Sequence, residues 1–375
     1  MRILVLNYEF PPLGGGAGDV TRALSHEYAK KGHSVKVITS YYKTLPRYEL
    51  ISEYEVYRVN AFRKYAEKSN IFQMFCFLVG AFRLFIKICR EWKPDIIHSH
   101  FLVPTSFLAY IGWKRYRIPY IVSLHGGDIP SFISEQTASV FMFVKHFAEI
   151  FGRNAKKMIA VSGDLELLAK NDYKELSQNI IHIDNGVNLN TYGIRNKFQI
   201  PTFLFVGRLS IQKNLVFLIK ALSYVKKDFH LIILGDGPER TRLEELLRKN
   251  KIRDNVEFKG WVSRKTVAEY MQRSHFLVLP SLAEGMPMAG LQAYSLGLPV
   301  IGTRVTGLKD FIEDGKSGYL VELENEIELS ELISTLCDHP KKSLEMSDYC
   351  LGLVREKYEW PKIADKYLNI IGESI

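Results

Sequence analysis

The sequence has few cysteines: four in 375 residues, at positions 76, 89, 337 and 350, and no two of them form a CxxC pair. This spacing argues against a disulfide framework or a cysteine-rich metal site, and indicates free thiols in a reducing compartment. Low-complexity tracts and short repeats are absent too, which argues against disorder and against a repeat solenoid.

Long uninterrupted apolar runs are also absent. The most apolar stretch, Ile71 to Cys89, is interrupted by Gln73, Arg83 and Lys87, so the sequence predicts no membrane span there. The opening residues MRILVLNYEFPP lack the extended apolar region and cleavage site of a signal peptide and are typical of a first β-strand. We therefore expect a cytoplasmic protein.

The formal charge of +9 lies almost entirely in one half of the chain. Residues 1–195 contain 25 Lys and Arg against 17 Asp and Glu, a balance of +8, whereas residues 196–375 contain 25 against 24. A basic half predicts a polyanionic partner, either nucleic acid or an anionic membrane surface. No zinc-finger or RRM motif accompanies the charge, so no nucleic acid is expected.

The stretch Ile71–Glu91 combines this basic charge with a helical pattern. Arg83, Lys87 and Arg90 recur at spacings of four and three, which places them on one helical face among many Phe and Leu residues. Basic side chains beside aromatic ones suit the interface of an anionic membrane. A core or interdomain helix with one solvated face fits the same pattern equally well.

Short apolar runs alternate with amphipathic stretches along the whole chain, and the alternation restarts near residue 200. Such a pattern predicts parallel sheets covered by helices on both faces, and hence an α/β protein with two doubly wound, Rossmann-like domains. The predicted strands are ILVLNY, SVKVITS, PDIIHSH, PYIVSLHG, KKMIAVS and NIIHIDNG, then TFLFVGRL, FHLIILGDG, NVEFKG, HFLVLPS and LPVIGT. The predicted helices are Ala17–Lys31, Ile71–Glu91, Thr137–Gly152, Lys213–Tyr224, Glu239–Lys249, Lys265–Gln272 and Pro287–Leu296. Residues 196–201 are the predicted linker.

Glycine-containing loops follow six of these strands. Ligands of doubly wound sheets bind beyond the carboxyl ends of the strands, and a glycine before a helix start exposes free N–H groups to an anion. The loops are PPLGGGAGD, LHGGD, DNGVN, VGRLSIQKN, LGDGPE and PSLAEGMP. No G-x-G-x-x-G with an acidic residue about twenty positions later follows the first strand, so a nicotinamide-dependent dehydrogenase is not expected.

Two of these loops carry charged residues suited to phosphate and sugar chemistry. Arg208 and Lys213 lie in a loop that enters a helix, where both can converge on one point, as the developing charge of a diphosphate leaving group requires. Glu284 offers an acceptor to hydroxyl groups, just before a helix that Pro287 begins. Gln292 lies over a turn further along and can reach the same crevice.

The order and spacing of the motifs resemble glycosyltransferase family 4, a retaining, nucleotide-sugar-dependent family of the GT-B fold. The resemblance covers nearly the whole chain. It rests on PPLGG, GHSVKVIT, PDIIHSH, SLHGGD, NGVN, VGRL with a lysine five positions on, LGDGP, VEFKGWV, LPSLAEGMPM and GLPVIGT followed by GKSGYLV. The segment that begins at YEW, residues 358–360, resembles the terminal segment of the family.

The resemblance implies two Rossmann-like domains that face each other across a cleft. The first, residues 1–195 with a crossing helix at 359–375, would hold the acceptor, and the second, residues 196–358, the nucleotide sugar. The implied activity is transfer of a sugar from a UDP- or GDP-sugar to a hydroxyl acceptor with retention of configuration. The acceptor is expected to be a lipid-linked or cell-surface glycan precursor, at an anionic inner membrane face, and no obligatory metal cofactor is expected.

The resemblance also implies roles for individual residues. Arg208 and Lys213 would bind the donor diphosphate, Glu284 the sugar hydroxyls, and His125 would sit near the reacting sugar. The remaining donor-site residues are expected to be Gly15, Gly16, Gly207, Gly260, Trp261, Val262, Gly285, Met286, Pro287, Met288, Ala289 and Gln292. His98 and His100 are expected to line a strand end and not to bind metal, because no third ligand lies nearby in the sequence.

Gln292 departs from the family pattern, which commonly has a second glutamate eight positions after the first. An amide has one acceptor oxygen and carries no charge, so weaker donor binding is expected. Two alternatives stay open: a GT-B nucleotide-sugar epimerase, which needs no acceptor, and a non-catalytic partner protein that kept the fold.

Overall fold

The computed structural model describes residues 1–65, 69–132, 135–189 and 196–375, and for residues 135–144 it describes the backbone alone. The chain forms two compact units. The first comprises Met1–Asn185 together with Trp360–Ile375, and the second comprises Gly186–Glu359. The first unit thus ends ten positions before the predicted boundary at residue 195, and residues 190–195 lie outside the described residues.

The first unit is built on an eight-stranded sheet. Its strands are β1 (Arg2–Leu6), β2 (Ser34–Ser40), β3 (Tyr48–Ile51), β4 (Tyr54–Val59), β5 (Ile96–His100), β6 (Tyr120–Leu124), β7 (Lys157–Ala160) and β8 (Ile180–His182). They lie in the order β3-β4-β2-β1-β5-β6-β7-β8, and every pair is parallel except β3 with β4. The chain winds outward from β1 to one edge and then from β5 to the other, so the direction of winding reverses between β1 and β5.

Helices cover this sheet. They are α1 (Gly16–Lys30), α2 (Ile71–Glu91), α3 (Ser106–Tyr116), α4 (Glu135–Asn154), α5 (Gly163–Asp172) and, from the end of the chain, α13 (Trp360–Ser374). The central strands are buried on both faces, and Ile3 lies between Val35 and Ile96. Burial of both faces is the reason that these strands are continuous apolar runs.

The second unit is built on a six-stranded, fully parallel sheet. Its strands are β9 (Thr202–Val206), β10 (His230–Leu234), β11 (Val256–Gly260), β12 (Phe276–Leu279), β13 (Val300–Thr303) and β14 (Gly318–Val321), in the order β11-β10-β9-β12-β13-β14. Its helices are α6 (Leu215–Leu222), α7 (Arg240–Lys249), α8 (Arg264–Arg273), α9 (Met288–Tyr294), α10 (Glu326–Asp338), α11 (Lys342–Glu345) and α12 (Ser347–Leu353), followed by a π-helical turn at Val354–Tyr358. Here the winding reverses between β9 and β12.

The predicted α/β class with two doubly wound sheets is confirmed. The sequence did not predict β3 and β4, which form a hairpin at one edge of the first sheet, or β14 at an edge of the second. Several helices, among them α3, α10, α11 and α12, were not predicted either. Cys89 and Cys350 are buried, while Cys76 and Cys337 are half-buried, and all four are free thiols.

Candidate active site

The reversal of winding between β9 and β12 places two loops side by side at the carboxyl end of the second sheet. Crevices at such switch points are where doubly wound sheets bind ligands. The loop after β9 carries Arg208 and Lys213, and the loop after β12 carries Glu284. Residues far apart in the sequence therefore meet in one place.

A short ion pair joins these loops. Lys213 Nζ lies 2.6 Å from Glu284 Oε1, and the Ser281 hydroxyl donates to the same oxygen at 2.6 Å. The Glu284 side chain is 9% exposed and the Lys213 side chain 25%. Within the described part of the chain no group donates to Glu284 Oε2, so that oxygen remains as an acceptor for a ligand hydroxyl.

Backbone contacts hold this pair in position. The Leu282 N–H donates to the Gln212 carbonyl at 2.8 Å, and the Gln212 amide donates to the Ala283 carbonyl at 3.0 Å. These two bonds clamp the Lys213 loop against the Glu284 loop. Sequence reasoning missed Gln212 and Ser281, because a neutral polar residue in these loops has no chemistry that distinguishes it from its neighbours.

Two glycines permit close approaches of the backbone. Gly307 has a φ of +78°, and a Cβ there would lie 2.1 Å from the Glu284 carbonyl oxygen. A Cβ on Gly235, which has a φ of +140°, would lie 1.9 Å from the carbonyl oxygen of Gly207. Any side chain at either position would push the site loops apart.

Arg208 differs from Lys213 in its surroundings. Its side chain is half-buried, and no salt bridge or side-chain hydrogen bond joins it to any described residue. Gly207 lies just before it and donates its N–H to the Leu234 carbonyl at 3.0 Å. A half-buried guanidinium without an internal partner is available for an anionic ligand.

Helix α9 begins directly after Pro287, one residue later than predicted, and no side chain caps it. Its far side is fixed because Tyr294 stacks on Phe311 at 4.4 Å between ring centroids and bonds the Ser317 hydroxyl at 2.7 Å. Gln292 is half-buried, and its amide has no side-chain hydrogen bond to any described residue. The other residues predicted here, Gly285, Met286, Met288 and Ala289, lie between the acid and the first turn of this helix.

The segment Gly260–Val262 follows the end of β11. Gly260 has a φ of +66° and accepts the Gly235 N–H at 2.8 Å, which ties this end of the sheet to the loop after β10. Trp261 is 62% exposed, so its ring presents an open apolar surface. Residues predicted for the base of the donor therefore lie two strands from the ion pair in the same sheet.

In the first unit, the loop after β1 leads into α1 at Gly16. Gly14 has a φ of +81°, and the Gly15 N–H faces the Glu9 carboxylate at 3.4 Å. Burial raises the pKa of Glu9, and the nearby Arg63 opposes that shift. No heavy atom lies within 4 Å of a Cβ built on Gly15, so space is open at this predicted position.

His125 follows β6 and belongs to a row of three histidines. Its Nε2 lies 3.0 Å from His100 Nδ1, and the His100 ring stacks on His98 at 4.4 Å. The backbone N–H groups of His125 and Leu102 both donate to the Asp128 carboxylate. The ring Nδ1 of His125 therefore remains available to hydrogen-bond a group other than these three histidines.

Burial holds these imidazoles neutral. It lowers the pKa of His98 and of His125 to about 3, and lowers that of His100 well below its ordinary value. Burial also raises the pKa of Asp128 to about 7, against the lowering by three backbone N–H groups. His98 and His100 lie among the last three residues of β5, at the end of the strand as expected. Both are fully buried, and His100 Nε2 has no partner among the described residues.

Among the residues that the structure describes, no group of three or more His, Cys, Asp and Glu side chains could hold a metal ion. The cations at the site are side chains, Arg208 and Lys213. The arrangement in the second unit combines two cations, a buried carboxylate with one free oxygen and an open tryptophan face. Such a set can bind an anionic leaving group and a polyhydroxylated substrate.

Comparison with known proteins defines the class. Residues 14–191 match the model of Glycosyltransferase Family 4, and residues 194–350 match that of Glycosyl transferases group 1. The chain belongs to this glycosyltransferase family, a class that acts on nucleotide sugars.

The relatives and the solved structures agree with this assignment. The chain is 30% identical to an uncharacterized glycosyltransferase of Methanocaldococcus jannaschii, over 78% of this chain and 79% of that protein. It is 27% identical to an alpha-monoglucosyldiacylglycerol synthase of Streptococcus pneumoniae, over 89% of this chain and 79% of that one.

The fold is GT-B, like that of the solved glycosyltransferases it resembles. Sucrose-phosphate synthase from Thermosynechococcus elongatus superimposes with a TM-score of 0.86 at 19% identity, over 100% of this chain and 98% of that one. Anabaena HepE in complex with UDP-glucose gives a TM-score of 0.76 at 17% identity over the whole of both chains.

Proposed function

We propose that this protein transfers a hexosyl group from a UDP- or GDP-sugar to a hydroxyl acceptor, with retention of anomeric configuration. The observation that carries the proposal is the ion pair of Lys213 with buried Glu284, beside a half-buried Arg208 that has no partner among the described residues. Two cations match a diphosphate, and a carboxylate oxygen matches sugar hydroxyls. The HepE complex, whose own ligand is UDP-glucose, supports a nucleotide diphosphate donor.

In this mechanism the bond between the anomeric carbon and the diphosphate oxygen breaks, and its electron pair goes to the leaving diphosphate. Arg208 and Lys213 stabilise the negative charge that develops there. The acceptor hydroxyl oxygen bonds to the same face of the anomeric carbon, and its proton passes to an oxygen of the departing phosphate. Glu284 holds sugar hydroxyls through Oε2, while Lys213 and Ser281 keep its other oxygen occupied.

The remaining predicted residues supply surfaces for the donor and the reacting sugar. We assign the backbone of Gly285–Ala289 to the sugar and phosphate, and Trp261 with its neighbours to the base. His125 is assigned to the reacting sugar as a neutral hydrogen-bonding group, because burial keeps its pKa near 3. Gly15 and Gly16 are assigned to a phosphate or the acceptor, and the space beside Gly15 is open.

The acceptor is proposed to be a lipid-linked or cell-surface glycan precursor, met at the cytoplasmic face of a membrane. The charge of +8 in residues 1–195 supports an anionic partner for the first unit. The name of the Streptococcus pneumoniae relative describes a glycolipid product of that protein. We further propose that no bound metal is required, because two side-chain cations are present to balance the diphosphate.

A thermal-shift panel with UDP-, GDP-, ADP- and dTDP-sugars, in buffer containing EDTA, tests the donor site. One nucleotide class is expected to raise the Tm of the wild-type protein, and Arg208→Ala is expected to abolish the shift. Incubation of that donor with membrane lipid extracts, followed by NMR of the anomeric proton of the product, tests retention. If no donor raises the Tm and none yields a glycosylated product, the proposal fails. If the donor sugar is epimerised in the absence of an acceptor, a nucleotide-sugar epimerase becomes the better assignment.

Gln292→Glu is expected to tighten donor binding by about tenfold. A carboxylate can accept from two ribose hydroxyls with charge assistance, which the amide cannot do, and charged hydrogen bonds are about twice as strong. Isothermal titration with the donor from the panel measures the change. Gln178→Glu, an exposed position of the first unit, adds the same charge as a control. Unchanged or weaker binding by Gln292→Glu would contradict the assignment of Gln292 to the donor.

A further inference from the structure

Helix α2 has one face in the core and one face of exposed apolar side chains. Its buried residues are Gln73, Phe77, Ala81, Phe85, Ile88 and Cys89. On the other side, Phe72 is 66% exposed, Phe75 61% and Val79 62%. Surface helices of globular proteins usually carry polar residues on the face away from the core, so this helix is built for two apolar environments.

The exposed apolar surface continues into the loop before α2. Phe62 and Tyr65 are exposed there. Gln73 Nε2 donates to the Phe62 carbonyl at 3.0 Å and Arg63 donates to the Tyr8 carbonyl, which holds residues 62 and 63 against the first unit. We call this surface the α2 patch; it consists of Phe62, Tyr65, Ile71, Phe72, Phe75, Val79 and Phe82. Contiguous exposed apolar surfaces of this kind mark sites of interaction.

The charges around the α2 patch indicate what covers it. Residues 61–90 contain six basic residues and one acidic residue. Arg83, Lys87 and Arg90 are all exposed along the C-terminal half of the helix, and Lys87 and Arg90 share Glu91 as their acidic partner. Cationic side chains beside exposed aromatic rings fit the boundary between anionic headgroups and acyl chains. A second copy of the same basic surface would be repelled.

Helix α2 is also, among the described residues, the one helix long and apolar enough to cross a membrane by length and composition. It packs on α3, β2 and β4 of its own unit, however, and two of the residues that fix it, Phe77 and Phe85, are fully buried. Because these contacts hold α2 in its own unit, the helix is suited to lie in the interface plane and not to span a bilayer.

We propose that the α2 patch docks the first unit onto an anionic lipid bilayer, with the aromatic side chains inserted and Arg83, Lys87 and Arg90 on the headgroups. Phe77 of α2 contacts Tyr8, at 6.5 Å between ring centroids, and Tyr8 follows β1. Docking therefore brings the carboxyl edge of the first sheet, with Gly15 and Gly16, close to the membrane. The further statement that this edge receives a lipid-linked acceptor rests on the proposed function. The docking of the α2 patch onto a bilayer does not depend on it.

Sedimentation with vesicles tests docking without any sugar donor. The full-length protein is mixed with vesicles of phosphatidylcholine alone or of phosphatidylcholine with phosphatidylglycerol. We expect binding to the anionic vesicles, and a fall in the partition coefficient of at least about tenfold in Phe72→Ser/Phe75→Ser. Arg83→Gln/Lys87→Gln/Arg90→Gln is expected to weaken binding to anionic vesicles only. Leu167→Ser/Tyr224→Ser, which removes two side chains 62% and 57% exposed elsewhere, is the matched control.

Each outcome decides the proposal. Loss of binding in the Phe72/Phe75 variant with retention in the control supports it. No binding to either vesicle, or equal loss in the control, overturns it, and so does a concentration-dependent dimer that the Phe72/Phe75 variant disrupts. A nucleotide-induced Tm shift retained by the Phe72/Phe75 variant shows that failure of docking is separate from failure of the donor site.

Discussion

Replacement of Arg208 by alanine is expected to lower kcat by about 10²- to 10³-fold while leaving Tm nearly unchanged. The rate falls because one of the two cations that stabilise the departing diphosphate is lost. Stability is kept because the Arg208 side chain has no salt bridge or side-chain hydrogen bond with any described residue. Steady-state kinetics with the donor found in the panel, and a thermal melt without ligand, measure the two effects.

Lys213→Ala is expected to lower kcat as much and to lower stability as well. Lys213 is the ion-pair partner of the Glu284 carboxylate, which is 9% exposed, and its removal leaves that charge unpaired. Leaving a buried charge without its partner typically costs a few kcal/mol. The double variant Lys213→Ala/Glu284→Gln should recover much of the Tm without recovering the rate.

Arg242→Ala serves as the control for both variants, because Arg242 is exposed on α7 and pairs with Glu239, the residue that precedes this helix. Its kcat is expected to stay within about twofold of the wild type. A kcat for Arg208→Ala within threefold of the wild type would show that Arg208 does not face the leaving group. Equal Tm values for Lys213→Ala and Arg208→Ala would show that the ion pair contributes nothing to stability.

Acidification from pH 6 to pH 5 is expected to destabilise the first unit by about 2 kcal/mol. Burial lowers the pKa of His98, His100 and His125, so between pH 6.5 and about 4 the unfolded chain binds up to three protons that the folded chain does not. Each proton contributes about 1.4 kcal/mol per pH unit. Asp128 opposes this by one proton, because its raised pKa of about 7 lets the folded state hold a proton that the unfolded state has lost.

The slope of Tm against pH between 7.5 and 5 measures this effect. His98→Gln removes one of the three groups and is expected to reduce the slope, whatever it does to Tm at neutral pH. His146→Gln, at an exposed position of α4, is the control and should leave the slope unchanged. A slope that is the same in His98→Gln and wild type would mean that this row of histidines is not the source of acid sensitivity.

The sequence predicted the central strands well because strands buried on both faces leave a strong mark. The run SVKVITS coincides with β2, and the helix Ile71–Glu91 with α2, since both have a long and regular apolar pattern. The β3–β4 hairpin was missed because Tyr48–Ile51 is an edge strand with alternating exposure and charged neighbours. The strand β14 is four residues long and has no periodicity of its own.

The candidate site was only partly predictable, because some of its residues are brought together by the order of the strands and not by a local sequence pattern. Arg208, Lys213 and Glu284 could be selected because they lie in loops that follow strands and enter helices, and because the spacing of those loops resembles the family pattern. Ser281, Gln212 and Gly307 act through contacts that depend on the order of the strands, which places residues 212 and 282 within one hydrogen bond. The burial of His98 and His100 was missed because alternation predicts a shared side of the strand, but not what covers that side.

The first unit is assembled from the two ends of the chain. Its α13 packs on α1, where Lys31 Nζ lies 2.7 Å from Asp365 Oδ1, and Tyr367 reaches Ser123 at 3.2 Å. A ribosome releases the chain from its N-terminus, and domains fold as units as they emerge. The second unit is contiguous and can finish folding during synthesis, whereas the first must wait for residues 360–375. Although translated first, the histidine row and the surface of α1 are therefore completed last, and in the nascent chain they are the surfaces that a chaperone would meet.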